Sequence, residues 1–176
     1  RFLPENSEVC RAARYSLLSG GKRIRAVLTL SVCEMLGGDM DAARSFSAAV
    51  EMLHCYSLIH DDLPCMDNDD LRRGRPSCHK AFGEATAMLA GDVLLTEAFD
   101  AIANAPASAQ ARVRAAQALG MGAGSHGMVY GQELDLKYEA LAATEDQLRL
   151  IHRNKTGALI NAAVQMGAAA AEAEKE

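Results

Sequence analysis

Apolar residues recur at helical spacing along almost the whole chain. Ile24, Val27, Leu28 and Met35 form one such stripe, and Gly37-Gly38-Asp39 closes that helix with a turn. A long helix is predicted from about Asp41 to the pair Asp61-Asp62, with Phe46, Val50, Leu53 and Ser57 along one side. Pro64 and the charged run after it read as a loop, followed by a second long helix from Ala81 to Ile102. Asn104-Ala105-Pro106-Ala107-Ser108 is a turn, and two more helical stretches follow, about Ala109 to Tyr138 and Thr144 to Ala171. The last opens with Thr144-x-x-Gln147, a capping-box pattern. No stretch alternates with period two for long enough to be a strand, so the predicted fold class is all-α.

Composition supports this. The 176 residues are 49% hydrophobic but only 5% aromatic, with no Trp, so the core must be built from Ala, Leu, Val, Ile and Met. That mix favours closely packed helices over a β-sandwich. Length and the lack of an internal boundary predict a single domain over residues 1–176. A net charge of −5 argues against a nucleic-acid surface. No apolar run approaches the ~20 residues of a membrane span. Cys10, Cys33, Cys55, Cys65 and Cys78 are odd in number and never spaced C-x-x-C, which supports neither a disulfide framework nor a zinc site and predicts a cytoplasmic location. No signal peptide is visible, and the chain opens at Arg1 rather than Met, so a lost start is expected.

The chemistry concentrates between Asp61 and Arg75, where five aspartates and then three arginines fall within fifteen residues. Carboxylates suit a hard divalent cation such as Mg²⁺, which takes one or two of them and completes its shell with waters and substrate phosphates. Arginine forks grip phosphate oxygens directly. Acids then bases, in an acidic protein, describe a place where a metal meets a small polyphosphate; the alternative is a solvated charged loop. At ~100° per residue His54, Leu58 and Asp61 share a narrow stripe of one helix, with Asp62 slightly to the side. That alignment favours a ligand role for His54 over a satisfied core histidine.

Further candidates lie elsewhere. Gly20-Gly21-Lys22-Arg23-Ile24-Arg25 sets cations at a predicted helix start, where backbone N–H groups also favour an anion. Alone it reads equally as a basic surface turn. Lys155-Thr156-Gly157, inside a helical pattern, offers one charge and one hydroxyl to phosphate, or else an exposed lysine and a kink. Gly120, Gly122, Gly124, Gly127 and Gly131 crowd one helical segment and predict close backbone approach or a bent helix. Gln132 and Asp135 follow as possible cleft residues. A rival exists in Ser77-Cys78-His79-Lys80 with Lys155-Thr156-Gly157, the S-x-x-K and K-T-G elements of penicillin-interacting serine enzymes. That mechanism needs K-T-G on a strand and an S-D-N element, and neither is predicted here.

With these residues in place, the chain resembles the trans-isoprenyl diphosphate synthases of the bacterial farnesyl/geranylgeranyl type, from about Arg11 to Gly167. The likeness rests on GGKRIR (20–25), EMLHCYSLIHDDLPCMDNDDLRRGRPSCH (51–79), LAGDVLL (89–95) and HRNKTGALI (152–160). It implies an antiparallel helical bundle of the isoprenoid synthase type around a deep cleft, usually a homodimer. The implied reaction joins isopentenyl diphosphate head to tail with an allylic diphosphate, dimethylallyl or geranyl. Carried over, Asp61, Asp62 and Asp67 hold Mg²⁺ against the allylic diphosphate; Arg72, Lys155 and Thr156 grip that same diphosphate. Lys22, Arg25, His54 and Arg73 bind the diphosphate of isopentenyl diphosphate. Asp61, Asp62, Asp67, Arg72 and Lys155 form the implied catalytic set. Tyr56 and Ser57, five and four residues before the first aspartate, are implied to set product length. A bulky Tyr56 and the four residues between Asp62 and Asp67 favour a C15 stop, farnesyl diphosphate, with geranylgeranyl diphosphate as the alternative.

One family feature is missing. The resemblance implies a second aspartate-rich motif on an opposing helix, and the chain reaches Ala-Glu-Ala-Glu-Lys-Glu (171–176) without it. The bundle is therefore expected to be incomplete at both ends, the N-terminal and central part of a synthase domain, inactive as these 176 residues alone. A truncated, non-catalytic partner subunit of a synthase is the other reading.

Overall fold

A computed structural model describes residues 3, 4, 6–139 and 141–173. By its internal contacts the chain divides into two compact units, Arg1–Arg23 with Glu51–Ala101, and Ile24–Val50 with Ile102–Glu176.

The first unit contains α1 (Glu8–Leu17), the later part of α3 (Met40–Asp61), a small hairpin, α4 (Cys78–Phe82) and most of α5 (Glu84–Ala103). Ser7 caps α1, its side chain accepting from the Cys10 N–H, as a serine at this position should. Tyr15 on α1 fastens the hairpin. Its hydroxyl donates to the Pro76 carbonyl at 2.9 Å, and the Arg75 guanidinium lies 4.3 Å over its ring. On its other side Tyr15 meets Phe82 edge-on at 5.3 Å, joining α1 to α4. His60 on α3 donates from Nε2 to the Met88 carbonyl of α5 at 2.9 Å. Of the side of α3 predicted to face the core, Phe46 and Val50 in the second unit and Leu53 in the first are fully inaccessible, and Ser57 is half-buried.

The second unit holds α2 (Ile24–Met35), the start of α3, α6 (Ala109–Ala123), α7 (Met128–Glu139), α8 (Glu145–Ile151), a π-helical turn (His152–Gly157) and α9 (Ala158–Ala170). Helix α9 packs on α2 and α6 through small residues, and Thr29 on α2 donates its hydroxyl to the Ala163 carbonyl at 3.0 Å. Thr144 and Gln147 form the full capping box at the start of α8.

The fold is all-α, with four corrections to the sequence reading. Most of the predicted apolar stripe of α2 faces outward: Ile24 is 50%, Val27 54% and Met35 84% exposed, while Leu28 is half-buried. The buried side of this helix is Thr29 and Cys33, because α9 approaches over small residues rather than large ones. The helix predicted from 109 to 138 breaks between Ala123 and Met128, at the glycines that cost a helix most. The helix predicted from 81 is preceded by α4 and restarts after Gly83. Finally, the charged loop contains two two-residue strands, Leu71–Arg72 and Arg75–Pro76, too short to leave a period-two signal.

Candidate functional site

The hairpin aims the arginines. Leu71 pairs with Pro76 and Arg72 with Arg75, leaving Arg73 and Gly74 as a two-residue turn. Both turn residues have positive φ, 54° and 74°, the conformation that tight hairpins of this hand require. Neighbouring arginines therefore leave the backbone in different directions, and each finds its own partner.

Arg72 turns to the end of α3. Its Nε donates to Asp62 Oδ1 at 2.9 Å, its Nη2 to the same oxygen, and Nη2 also reaches Asp69 Oδ2 at 3.3 Å. Asp62 is only 2% exposed, so this carboxylate is buried and neutralised by one arginine. Hydrogen bonding to Asp62 pushes the Arg72 pKa further up, so the guanidinium is permanently charged. Its Nη1 makes no hydrogen bond among the described residues and remains available to an outside acceptor.

Asp61 ends α3, and the Asp67 N–H donates to the Asp61 carbonyl at 2.9 Å. Within the loop the Leu63 carbonyl accepts from the Met66 and Asn68 N–H groups at 2.8 and 3.1 Å. These bonds fold the loop back so that Asp61 and Asp67 belong to one compact turn. The C-terminal end of a helix carries partial negative charge, which favours a cation there. Among the described residues no group of three or more His, Cys, Asp or Glu is arranged to hold a metal ion. Asp61 at the helix end and Asp67 in the turn after it are donors of the kind Mg²⁺ accepts, an ion that takes few protein ligands and leaves the rest to water and phosphate.

Arg73 turns instead to the glycine loop. Its Nη1 donates to the Gly20 carbonyl and lies 3.4 Å from Ser19 Oγ. Gly21, at φ +111°, sits so close that a Cβ would lie 2.6 Å from the Arg73 Cζ. The G-G-K-R loop and the R-R-G hairpin, about fifty residues apart, are thus one structure within this unit, and the loop carries Lys22 exposed at its surface. Arg23 is spent internally: it donates to the Leu17 carbonyl and, at 3.2 Å, to the buried carboxylate of Glu51. Sequence reasoning missed both links. The one available hint was Glu51, an acid inside an otherwise apolar helical stretch.

His54, Tyr56 and Ser57 are all half-buried on α3. Ser57 donates to the His54 carbonyl at 2.8 Å. Tyr56 sets its ring edge-on to His60 at 5.4 Å, and burial raises its phenol pKa.

Arg25, Lys155 and Thr156 belong to the second unit. Arg25 is half-buried on α2 and Thr156 is exposed. Lys155 lies in the π-helical turn and donates from Nζ to Asp135 Oδ2 at 2.6 Å. The kink foreseen near Gly157 is this π turn. It also removes the serine-enzyme rival: Lys155-Thr156-Gly157 is helical, Lys80 pairs with Asp70 at 2.8 Å, and Ser77 is buried against His79 Nδ1 at 3.0 Å.

Helices in this order, with an acid-tipped α3 followed by an arginine hairpin, are shared with solved prenyl synthase structures. A solved geranyltransferase from Legionella pneumophila superposes with a TM-score of 0.89 at 47% identity, over 96% of this chain and 59% of that one. The sequence matches the polyprenyl synthetase family over residues 6–176, and the chain belongs to that family. A farnesyl diphosphate synthase from Micrococcus luteus is 49% identical over 93% of this chain and 56% of its own length. The large subunit 1 of a heterodimeric chloroplastic geranylgeranyl pyrophosphate synthase from Arabidopsis thaliana is 48% identical over 94% of this chain and 47% of its own. The chain thus spans about half the length of the curated relatives it matches.

Proposed function

We propose that the protein is a prenyltransferase that condenses isopentenyl diphosphate with dimethylallyl or geranyl diphosphate, yielding farnesyl diphosphate. The observation that carries this reading is the pair of adjacent arginines sent to two places, Arg72 to Asp62 and Arg73 to Gly20. A reaction between two diphosphates needs two anion sites held in fixed relation, because orientation of the reacting carbons lowers the barrier only when both ends are fixed.

In this reading Asp61 and Asp67, with Asp62 beside them, hold Mg²⁺, which when bound neutralises the charge that develops on the departing diphosphate. Asp62 acts through Arg72, keeping one edge of the guanidinium occupied so that Nη1 faces the allylic diphosphate. Lys155 and Thr156 grip the same group. Lys22, Arg25, His54 and Arg73 hold the diphosphate of isopentenyl diphosphate. These fixed charges need no reorganisation as the leaving group departs, which is where preorganised electrostatics contribute most. Tyr56 and Ser57 bound the space for the growing chain, and apolar walls exclude water from the allylic cation. Residues 1–176 are the N-terminal and central part of one synthase domain, working as a homodimer in the cytoplasm. Among the described residues no helix is long and apolar enough to cross a membrane.

Geranylgeranyl diphosphate is the second reading for the product, since relatives of both names match the chain at nearly equal identity. The test is product analysis with Mg²⁺, labelled isopentenyl diphosphate and each allylic starter in turn. A C15 product, abolished by a chelator, supports the proposal, and a C20 product selects the second reading. Failure to condense any starter would leave a diphosphate-binding partner subunit.

A further inference from the structure

Lys155 reaches Asp135 through a backbone arrangement built for that meeting. Asp135 lies on α7 one turn after Gly131, and residues four apart share a helix face. A Cβ at Gly131 would stand 2.0 Å from the backbone nitrogen of Lys155, so α7 and the π turn touch backbone to backbone. The π turn is tied to α8, Asn154 Nδ2 donating to the Leu150 carbonyl at 2.8 Å. A π turn carries one extra residue per turn and re-aims the side chains beyond it, a device that recurs at functional sites. The Lys155 side chain is 30% and the Asp135 side chain 45% exposed, so the 2.6 Å bond between Nζ and Oδ2 stands beside solvent.

We infer that Asp135 is a positioning residue for Lys155, holding its ammonium where a diphosphate oxygen will arrive. This rests on the reading of Lys155 as a diphosphate ligand. A lysine carries a long flexible stem, and the freedom of that stem is lost each time the ammonium grips a phosphate. Asp135 removes that freedom beforehand. An ammonium has three N–H donors, so the bond to Asp135 engages one of them and does not by itself exhaust the group.

The sign of one measurement separates this from plain electrostatics. A carboxylate beside an anion site repels the anion, so removing an idle carboxylate tightens binding; removing a positioning one weakens it. The experiment titrates inorganic pyrophosphate with Mg²⁺ into the protein and into Asp135→Asn, Asp135→Glu, Lys155→Ala and the double variant Asp135→Asn/Lys155→Ala. Asp135→Asn is expected to weaken binding roughly tenfold, the scale of one charge-assisted hydrogen bond. Asp135→Glu recovers part of it, and the double variant binds no worse than Lys155→Ala. Unchanged or tighter binding by Asp135→Asn, with Lys155→Ala weakened, overturns the proposal alone. Equal loss from Asp135→Asn in both backgrounds makes its role merely structural and also overturns it. If Lys155→Ala binds normally, the diphosphate reading of Lys155 falls and the proposal with it.

Discussion

The guanidinium of Arg72 closes on the carboxylate of Asp62, and that carboxylate is buried while the arginine keeps about a third of its side chain in solvent. Removing the arginine strands a buried negative charge; removing the aspartate frees an arginine that can still reach water. The two truncations should therefore be unequal. Arg72→Ala is expected to destabilise the fold by about 3 kcal/mol, the low end for a broken buried pair. Asp62→Ala should cost less. Urea unfolding of both variants checks this, and equal losses would show that the burial of Asp62 does not decide the cost.

Arg73 and Gly21 make a second testable contact. Gly20 and Gly21 both have positive φ, so an alanine at either position meets backbone strain of about 1–2 kcal/mol. Only at Gly21 does the added methyl strike a neighbour, the Arg73 guanidinium; at Gly20 nothing lies within 4 Å. If Arg73 serves an anion site, Gly21→Ala should weaken pyrophosphate binding several-fold more than Gly20→Ala. Matching effects would mean that strain, not the displaced arginine, explains the loss.

Much of this was legible in the sequence, and the misses share a cause. The end of α3 at Asp61, the capping box at Thr144 and the start of α2 after the glycine loop follow from local periodicity and capping, and the structure places all three as read. What failed depended on partners distant in sequence. The stripe of Ile24, Val27, Leu28 and Met35 looked like a core face, but only Leu28 of the four is even half-buried, and the side of α2 that is covered is the one with residues small enough for α9 to approach. The Arg73–Gly20 and Lys155–Asp135 links span 53 and 20 residues, beyond any local pattern. The hairpin escaped because two residues per strand show no alternation, although Arg73-Gly74 carries a turn signal in hindsight.

The buried thiols predict a pH dependence. Burial pushes the Cys55 pKa up to about 12, and raises Cys78 and Cys33 as well. An unfolded chain ionises its thiols near pH ~8.5, while the folded chain keeps them protonated. Stability is therefore full below that pH and falls as pH rises from there towards the folded value. Cys55 alone contributes a slope of about 1.4 kcal/mol per pH unit in that window. Urea unfolding between pH 8 and 10 measures it, and Cys55→Ala should flatten the curve. Cys65, which is exposed, should be alkylated by iodoacetamide in the native protein well before Cys55 or Cys78. A curve unchanged by Cys55→Ala would show that other groups set the alkaline limit.

Tyr56 offers the sharpest test of product length, because its neighbours hold it in place. Its ring meets His60 edge-on at 88°, and His60 is bonded in turn to the Met88 carbonyl of α5. Gly91 makes that approach possible: a Cβ there would lie 2.1 Å from His60 Nε2. Swinging Tyr56 aside gives up that ring contact with His60, whereas Ser57, among the described residues, bonds to its own helix and presents little bulk. If Tyr56 stops the growing chain, volume is what matters and the hydroxyl is not. Tyr56→Phe should keep a C15 product, and Tyr56→Ala should shift the product distribution to C20, read by chromatography of the dephosphorylated prenols. Unchanged C15 output from Tyr56→Ala would remove Tyr56 as the stop and leave length to a residue on another helix. A shift in both variants would point instead to the phenol hydroxyl rather than to bulk.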